Sequence, residues 1–491
     1  MELSLQLTNA KNLLIAGQAY SEIPDVLAYE DIRHQWDRGY ETMLSRAIES
    51  DSYGPVHTEI VDYPKSEISV RPLARFSARD RIIYDALVFR LAGEVDRQIN
   101  RSVHSSRWNH SRGIPIFWYV SWKRMRRLAL RTLRVNPALR MASVDVSSFY
   151  EHIDVDILGD DLACVIENQG YTRSLHDFLK RFQSINHAWG LPQGPDSSGI
   201  LANLYLAPVD AFLARNRLRF LRYSDDMMIF HHDWTALRDV VVEVNSLLRS
   251  RRLSIASNKT LIREPEEALT HVHDVRRASI QHMVDTGFPE ASSDVRNYFD
   301  EIVKTGTADG GGIRFAINRL AKLRDDHAIS WCLENLEFLP HATKEVFAYL
   351  ASAKSRSSEV QRELTRFMER SESSSYPFIE QRILRYFLSL DIKSERMKES
   401  AWKILEDRNR EDFSREFAGR YIGRAASVAE AQLLRHRFEE EPSVTMRRSL
   451  LASLYESGYL SHRYLNEVEA SLSQLTWVCR FLRSEPLIPS P

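Results

Sequence analysis

The chain has 491 residues, past the size at which one hydrophobic core keeps growing, so two or three domains are expected. At 43% hydrophobic and 27% charged residues, it has the composition of a soluble globular protein. No apolar run approaches the roughly 20 residues that span a bilayer, and Met1–Gln6 has no basic region leading into an apolar core. Cys164, Cys332 and Cys479 are too scattered, and odd in number, for a disulfide framework or a zinc site. A cytoplasmic protein with no membrane partner is expected.

The net charge of −1 hides an asymmetry. Residues 1–70 hold 5 Lys and Arg against 12 Asp and Glu, whereas residues 71–140 hold 16 against 4. The first segment reads as helices with a polar break at Asp51–Pro55 and carries no recognisable chemistry. It is expected to be an N-terminal helical extension packed on the domain after it. The basic stretch suits a phosphate backbone or a triphosphate. It opens with Arg71-Pro-Leu and continues to Asp80-Arg81-Ile-Ile. From Trp122, the run Lys123, Arg124, Met125, Arg126, Arg127, then Arg131 and Arg134, predicts a basic amphipathic helix with Leu128, Leu130 and Leu133 near its apolar side. Lys123, Arg124, Arg126 and Arg127 are candidate nucleic-acid ligands; the plainer alternative is a solvated surface helix.

Three blocks then occur within about ninety residues: Met141-Ala-Ser-Val-Asp-Val-Ser-Ser-Phe-Tyr150, Gly190-Leu-Pro-Gln-Gly-Pro195 and Leu221-Arg-Tyr-Ser-Asp-Asp-Met-Met-Ile-Phe230. The first predicts a short strand, Met141 to Val146, with one acid, Asp145, near its end. The second opens a helix expected from Ser198 to about Leu213; its glycines let backbone approach a base pair, and Gln193 and Gly194 are candidate nucleotide contacts. The third is apolar except for adjacent carboxylates, which predicts a tight hairpin with Asp225 and Asp226 at its tip. Adjacent carboxylates repel unless a cation neutralises them. Three on hard oxygen ligands suit Mg²⁺, with Mn²⁺ as a substitute, and a pair of such ions is a clamp for nucleotidyl transfer. A helix is expected from Trp234 to Arg251, then Leu253-Ser-Ile-Ala-Ser-Asn-Lys259-Thr-Leu-Ile.

From about residue 270 the chain reads as helical, with a break at Asp309-Gly-Gly-Gly312. Helix pairs are expected to begin near Ile313, Ala342, Tyr376, Glu411 and Ser443, a period of roughly 30 to 35 residues, as in an α-solenoid.

Together these motifs resemble reverse transcriptases. Tyr223-Ser-Asp-Asp226 is similar to their Tyr-x-Asp-Asp box, Asp145–Tyr150 to their first palm motif, Leu191–Gly194 to their Leu-Pro-Gln-Gly motif, and the stretch around Lys259 to their fourth. Arg71–Ile83 resembles the fingers motif of bacterial and group II intron members. The resemblance covers residues 71–265. It implies catalytic roles for Asp145, Asp225, Asp226 and Lys259, the lysine as general acid to the leaving pyrophosphate. It also implies two Mg²⁺ ions held by the three aspartates and the backbone of Val146, and a Tyr150 that leaves no room for a 2′-hydroxyl. Arg71 and Arg81 would bind the incoming nucleotide or template backbone; for Arg81, pairing with Asp80 or Asp85 stands as the alternative.

A palm followed by helical repeats resembles the abortive-infection and defence-associated (unknown group) reverse transcriptases of bacteria. The expected fold is an α+β right-hand polymerase palm and fingers (71–265), followed by an all-α helical-repeat, HEAT-like α-solenoid domain (266–491) in place of a thumb. The implied partners are dNTPs, an RNA template or non-coding RNA, a DNA product, and further copies of the chain in a homo-oligomer. Protein-primed or template-free synthesis is implied for such a group. Two other readings stand. One is a retroelement or retron reverse transcriptase, against which the missing thumb and endonuclease motifs argue. The other is an RNase toxin or binding scaffold with a degenerate palm, for which Arg276, Arg277 and His282 have a suitable spacing.

Overall fold

The computed structural model describes residues 3–50, 54–304, 310–370 and 377–489. The chain divides into two units, one of Met1–Leu14, Glu41–Ile60 and Pro72–Ala278, the other of Ile15–Tyr40, Val61–Arg71 and Ser279–Pro491. The first seventy residues are thus shared between both units rather than forming one extension. They are not all helix either: Thr58–Pro64 (β1) is a strand that pairs with Val70–Phe76 (β2). Of the polar break expected there, Asp51, Ser52 and Tyr53 lie outside the described residues.

In the first unit, β2 leads into a long helix, α1 (Ala78–Gln98), capped by Ser77, whose Oγ accepts the Asp80 N–H at 3.1 Å. The basic helix α2 (Trp118–Val135) begins four residues earlier than its charges indicate. Its buried stripe is Ser121, Met125, Ala129 and Leu133, an i, i+4 row; Leu128 and Leu130 flank it half-buried. Strand β3 (Arg140–Val144) comes next, then helices α3 (Val155–Val165) and α4 (Gln169–Gln183). The single helix expected from Ser198 is two, α5 (Asp196–Tyr205) and α6 (Ala207–Arg215), bent by 47°. Pro208, in the first turn of α6, has no N–H to continue the ladder, so the chain restarts there.

Strands β4 (Arg219–Tyr223) and β5 (Asp226–His231), helix α7 (Trp234–Ser250), strand β6 (Leu261–Arg263) and helix α8 (Pro265–Val272) complete the unit. The strands form one antiparallel sheet in the order β4-β5-β3-β6. Met141, Leu221, Met228 and Phe230 pack with α2 and α8 through Met125, Ala129, Leu133, Ala268 and Val272. Alternation turns Ala142, Val144, Met227 and Ile229 to the other face, where α7 lies with Leu237, Val244 and Leu248 buried. With both faces covered, the strand ends are where polar chemistry meets solvent.

From Ser279 onward the second unit is helical. After α9 (Ala291–Lys304) come five pairs: α10 (Gly310–Leu323) with α11 (Ile329–Glu334), α12 (Thr343–Ser352) with α13 (Ser357–Arg370), α14 (Pro377–Ser389) with α15 (Glu395–Glu406), α16 (Asp412–Arg424) with α17 (Val428–Glu440), and α18 (Val444–Glu456) with α19 (His462–Ser471). The pair starts lie within a few residues of those expected; Asp309 and Tyr376 fall outside the described residues. First helices pack in succession, α10 on α12, α12 on α14, α14 on α16 and α16 on α18. At the last contact a Cβ on Gly423 would stand 2.3 Å from the Ser453 carbonyl oxygen, so only glycine lets the two backbones approach this closely. The segment Ile15–Tyr40 is fastened within this unit by Arg448, which bonds Asp25 and Asp31 at 2.7 Å each, and by Arg420, which donates to the Val26 carbonyl and pairs with Glu456. Cys332 and Cys479 are buried thiols, both pushed up to about 12 by burial; Cys164 is exposed, and none is bridged.

Candidate active site

Register assembles the carboxylates. β3 and β5 run antiparallel with Val144 opposite Met227, so the next step sets Asp145 against Asp226. Tyr223 pairs with Asp226, leaving a two-residue turn, Ser224-Asp225, with Ser224 at φ +57°. Asp225 sits in the turn and Asp226 opens β5. Beyond β3, Val146 bridges Ile255 and is flanked by bonds from Ser147 N–H to Ser254 and from Ala256 N–H to Asp145. Residues in such a non-bonded pair turn their own N–H and C=O to the opposite edge, here the side of the Asp225 turn. Lys259, on the turn before β6, donates to Asp145 Oδ2 at 2.8 Å.

The electrostatics arise from crowding. Burial first, and then the Asp145 charge, raise the Asp225 carboxyl above its usual range. Asp226 is pushed up to about 7 by burial, by the Asp225 charge and by its hydrogen bond and charge contact with Asp145; Lys259 acts the other way. Loss of hydration works against the Lys259 ammonium, but Asp145, Asp226 and Asp225 outweigh it and hold its pKa above the usual value. Three carboxylates face one ammonium, so excess negative charge is concentrated on hard oxygen donors. Among the described residues no group of three or more His, Cys, Asp or Glu side chains is placed to hold a metal ion by itself. The donor set instead fits an ion that brings other ligands with it, since Mg²⁺ takes one or two carboxylates plus substrate phosphate oxygens.

The block from Gly190 to Gly199 packs against Tyr150. The Leu191 N–H donates to the Tyr150 carbonyl at 2.8 Å, and Gly190, at φ +57°, lies so close that a Cβ would stand 2.0 Å from that oxygen. On α5, a Cβ at Gly199 would meet Ser106 Oγ at 2.1 Å and the Tyr150 hydroxyl at 3.5 Å. The Tyr150 hydroxyl is 3.5 Å from Ser224 Oγ, and its pKa is pushed up to about 12, chiefly by burial. Tyr150 is therefore wedged between α5 and the turn that carries Asp225. The Gln193 carbonyl accepts the Ala74 N–H at 2.9 Å, tying this block to β2, and Gly194, at φ +121°, has open space where a side chain would project.

The remaining candidates are dispersed. Arg81 donates to Asp85 at 2.7 Å, one of its two expected roles, while Ser197 donates to the other Asp85 oxygen. Arg71 groups with the second unit and lies over the Tyr63 ring at 5.1 Å, a cation–π contact. Lys123, Arg124 and Arg127 are exposed on α2, whereas Arg126 is half-buried and donates to the His271 carbonyl at 3.2 Å, so it is a helix-to-helix tie. Arg277 pairs with Asp274 at 3.1 Å, and His282 lies against the Phe288 ring.

Sequence reasoning missed the support beneath the catalytic turn. Arg222 is fully buried; its Nε and Nη2 donate to the Asp210 carboxylate at 2.8 and 2.6 Å, and its Nη1 donates to Asn203 Oδ1 at 3.0 Å and to the Ser224 carbonyl at 2.9 Å. Asn203 in turn donates to the Ser105 carbonyl at 2.8 Å, and Ser105 Oγ accepts the Ser224 N–H at 2.7 Å. Both backbone groups of Ser224 are thus held from below. The signal was available: a lone arginine in the run Phe220-Leu-Arg-Tyr must find a buried acid, because charged groups are almost never buried unpaired.

Residues 63–276 match the family model described as reverse transcriptase (RNA-dependent DNA polymerase). No curated protein matches the chain. Among solved structures it is similar to apo telomerase from Candida tropicalis (12% identity, TM-score 0.30, covering 75% of this chain and 70% of that one). It is also similar to telomerase from Candida albicans in complex with a fragment of telomeric RNA (11% identity, TM-score 0.30, the same coverage). Superpositions this loose establish no residue correspondence. Over residues 63–276, then, the chain carries a reverse transcriptase domain, the catalytic domain of an RNA-directed DNA polymerase.

Proposed function

We propose that the chain polymerises deoxynucleotides on an RNA template or non-coding RNA, in the bacterial cytoplasm, as an antiphage defence enzyme of the abortive-infection type. The observation that carries the chemistry is the register that sets Asp145 against Asp226 beside Asp225, with Lys259 bonded to Asp145. Asp145, Asp225 and Asp226, with the Val146 carbonyl, would hold Mg²⁺ or Mn²⁺, which would supply charge neutralisation for the triphosphate and the attacking hydroxyl. Lys259, kept protonated by its acidic neighbours, has the proton that the leaving pyrophosphate requires. Tyr150, wedged under the turn, is the steric barrier to a 2′-hydroxyl. Gln193 and Gly194 face the nascent base pair. Lys123, Arg124 and Arg127 serve nucleic-acid phosphates.

The defence role rests on the helix pairs that come after the palm. We read them as a HEAT-like α-solenoid that follows the fingers and palm in the chain in place of a thumb, in a homo-oligomer that primes synthesis from a protein hydroxyl. Asp225→Ala in cells challenged with phage tests the link: protection and DNA synthesis are expected to disappear together. Protection that survives loss of synthesis contradicts it.

A further inference from the structure

Where α2 begins, the usual sorting of side chains is reversed. Between Phe117 and Trp122 the chain buries Ser121 at 6% exposure and leaves Trp118 at 52%, Tyr119 at 41% and Trp122 at 40%, with Phe117 and Val120 exposed beside them. Packing alone selects the opposite arrangement, since each ring left in water forgoes a large burial gain. Tyr119 and Trp122 are stacked with 11° between their planes and centroids 6.4 Å apart, while Trp118 stands edge-on to Tyr119 at 68°. Lys123 Nζ lies 4.3 Å above the Tyr119 ring. The helix contains no acidic residue, and Lys123, Arg124, Arg127, Arg131 and Arg134 continue along its exposed side. The Trp118 carbonyl accepts the Tyr223 hydroxyl at 3.0 Å, so this aromatic turn is bonded to the residue two before Asp225.

Flat apolar rings interleaved with cations match a partner that offers flat rings and regularly spaced negative charge. We propose that the first turns of α2 are a stacking platform for single-stranded nucleic acid, at which unpaired bases lie on Trp118, Tyr119 and Trp122 while Lys123, Arg124 and Arg127 meet the phosphates. A duplex does not fit, because its base faces are already stacked on one another; an acidic protein does not account for three presented rings. The proposal deepens the polymerase reading and rests on it for biological meaning, since the strand bound here is the unpaired template or product beside the catalytic turn.

The test is fluorescence anisotropy on the full chain with labelled oligouridylate, oligothymidylate and a duplex of equal length, with no metal and no nucleotide. The wild type is expected to prefer the single strands. Trp118→Ala with Trp122→Ala is expected to weaken single-strand binding by roughly tenfold or more without altering its salt dependence, because stacking is worth about 1–3 kcal/mol per base. Lys123→Gln and Arg124→Gln are each expected to reduce the slope of log K against log salt by about 0.7. Trp118→Phe with Trp122→Phe retains ring faces and is expected to retain binding, which separates stacking from a folding defect. Wild-type affinity in the double alanine variant overturns the proposal, as does equal affinity for duplex. So does a sedimentation shift from oligomer to monomer with single-strand affinity intact, which assigns the patch to self-association. Because the assay needs no chemistry, a protein that binds through Trp118 and Trp122 but never polymerises overturns the polymerase reading alone.

Discussion

Replacing Arg222 with Met removes every bond that this guanidinium makes beneath the catalytic turn while keeping much of the side chain's length. Two charged bonds to Asp210, two to Asn203 and one to the Ser224 carbonyl are lost, and Asp210, only 1% exposed, is left as an uncompensated charge. Breaking a buried pair in this way costs about 3–5 kcal/mol, a fall in Tm on the order of 10 °C for a unit of this size. Replacing Asp210 with Leu as well is expected to restore part of that stability, because the orphaned charge disappears. Activity is expected not to recover with it. With the Ser224 carbonyl unsupported, Asp225 shifts relative to Asp145, and a displacement of about 1 Å costs roughly a hundredfold in kcat. Melting curves and steady-state incorporation well below the melting point separate the two effects. The expected result for the double variant is recovered Tm with kcat still depressed and the nucleotide KM within a few-fold of wild type. Full kcat in Arg222→Met, or kcat that recovers in step with Tm, refutes the positioning role.

Gly190→Ala is expected to destabilise the first unit by at least about 2 kcal/mol, since it adds a left-handed strain to a clash with the Tyr150 carbonyl; wild-type melting contradicts this. Tyr150→Val is expected to raise ribonucleotide use relative to deoxynucleotide in a competition assay; a wild type that already prefers ribonucleotides removes the basis for the barrier. Arg448→Met strands Asp25 and Asp31 and is expected to cost about 3–5 kcal/mol within the second unit. Hydrogen exchange is expected to rise in residues 15–40, and unchanged protection there contradicts the fastening role.

Some features were legible because one local rule fixes them. The apolar runs around Asp225 and Asp226 specify a tight hairpin, and a short strand ends just before Asp145; the resemblance of the three blocks to reverse transcriptase motifs marked them as one site. The pairs of helices from Gly310 onward were legible from buried-face periodicity. What escaped depends on partners distant in sequence. Arg222 reads as a basic residue until Asp210 and Asn203 fold beneath it. Arg126 reads as a nucleic-acid ligand until the His271 carbonyl takes it. The division of residues 1–70 between two units depends on Arg420 and Arg448, some four hundred residues away. The bend after Tyr205 had a local cause, Pro208, that the apolar pattern of the two helices concealed.

The central claim is that Asp145, Asp225 and Asp226 form one metal-dependent centre for deoxynucleotide transfer. The most direct test is incorporation of labelled dNTPs by the purified full chain with Mg²⁺ and an RNA template, comparing wild type, Asp226→Asn and wild type with excess EDTA. The account predicts incorporation by wild type alone, restored on adding Mg²⁺ back, with Asp226→Asn folded but inactive. Incorporation by folded Asp226→Asn at the wild-type rate, or undiminished by chelation, contradicts it.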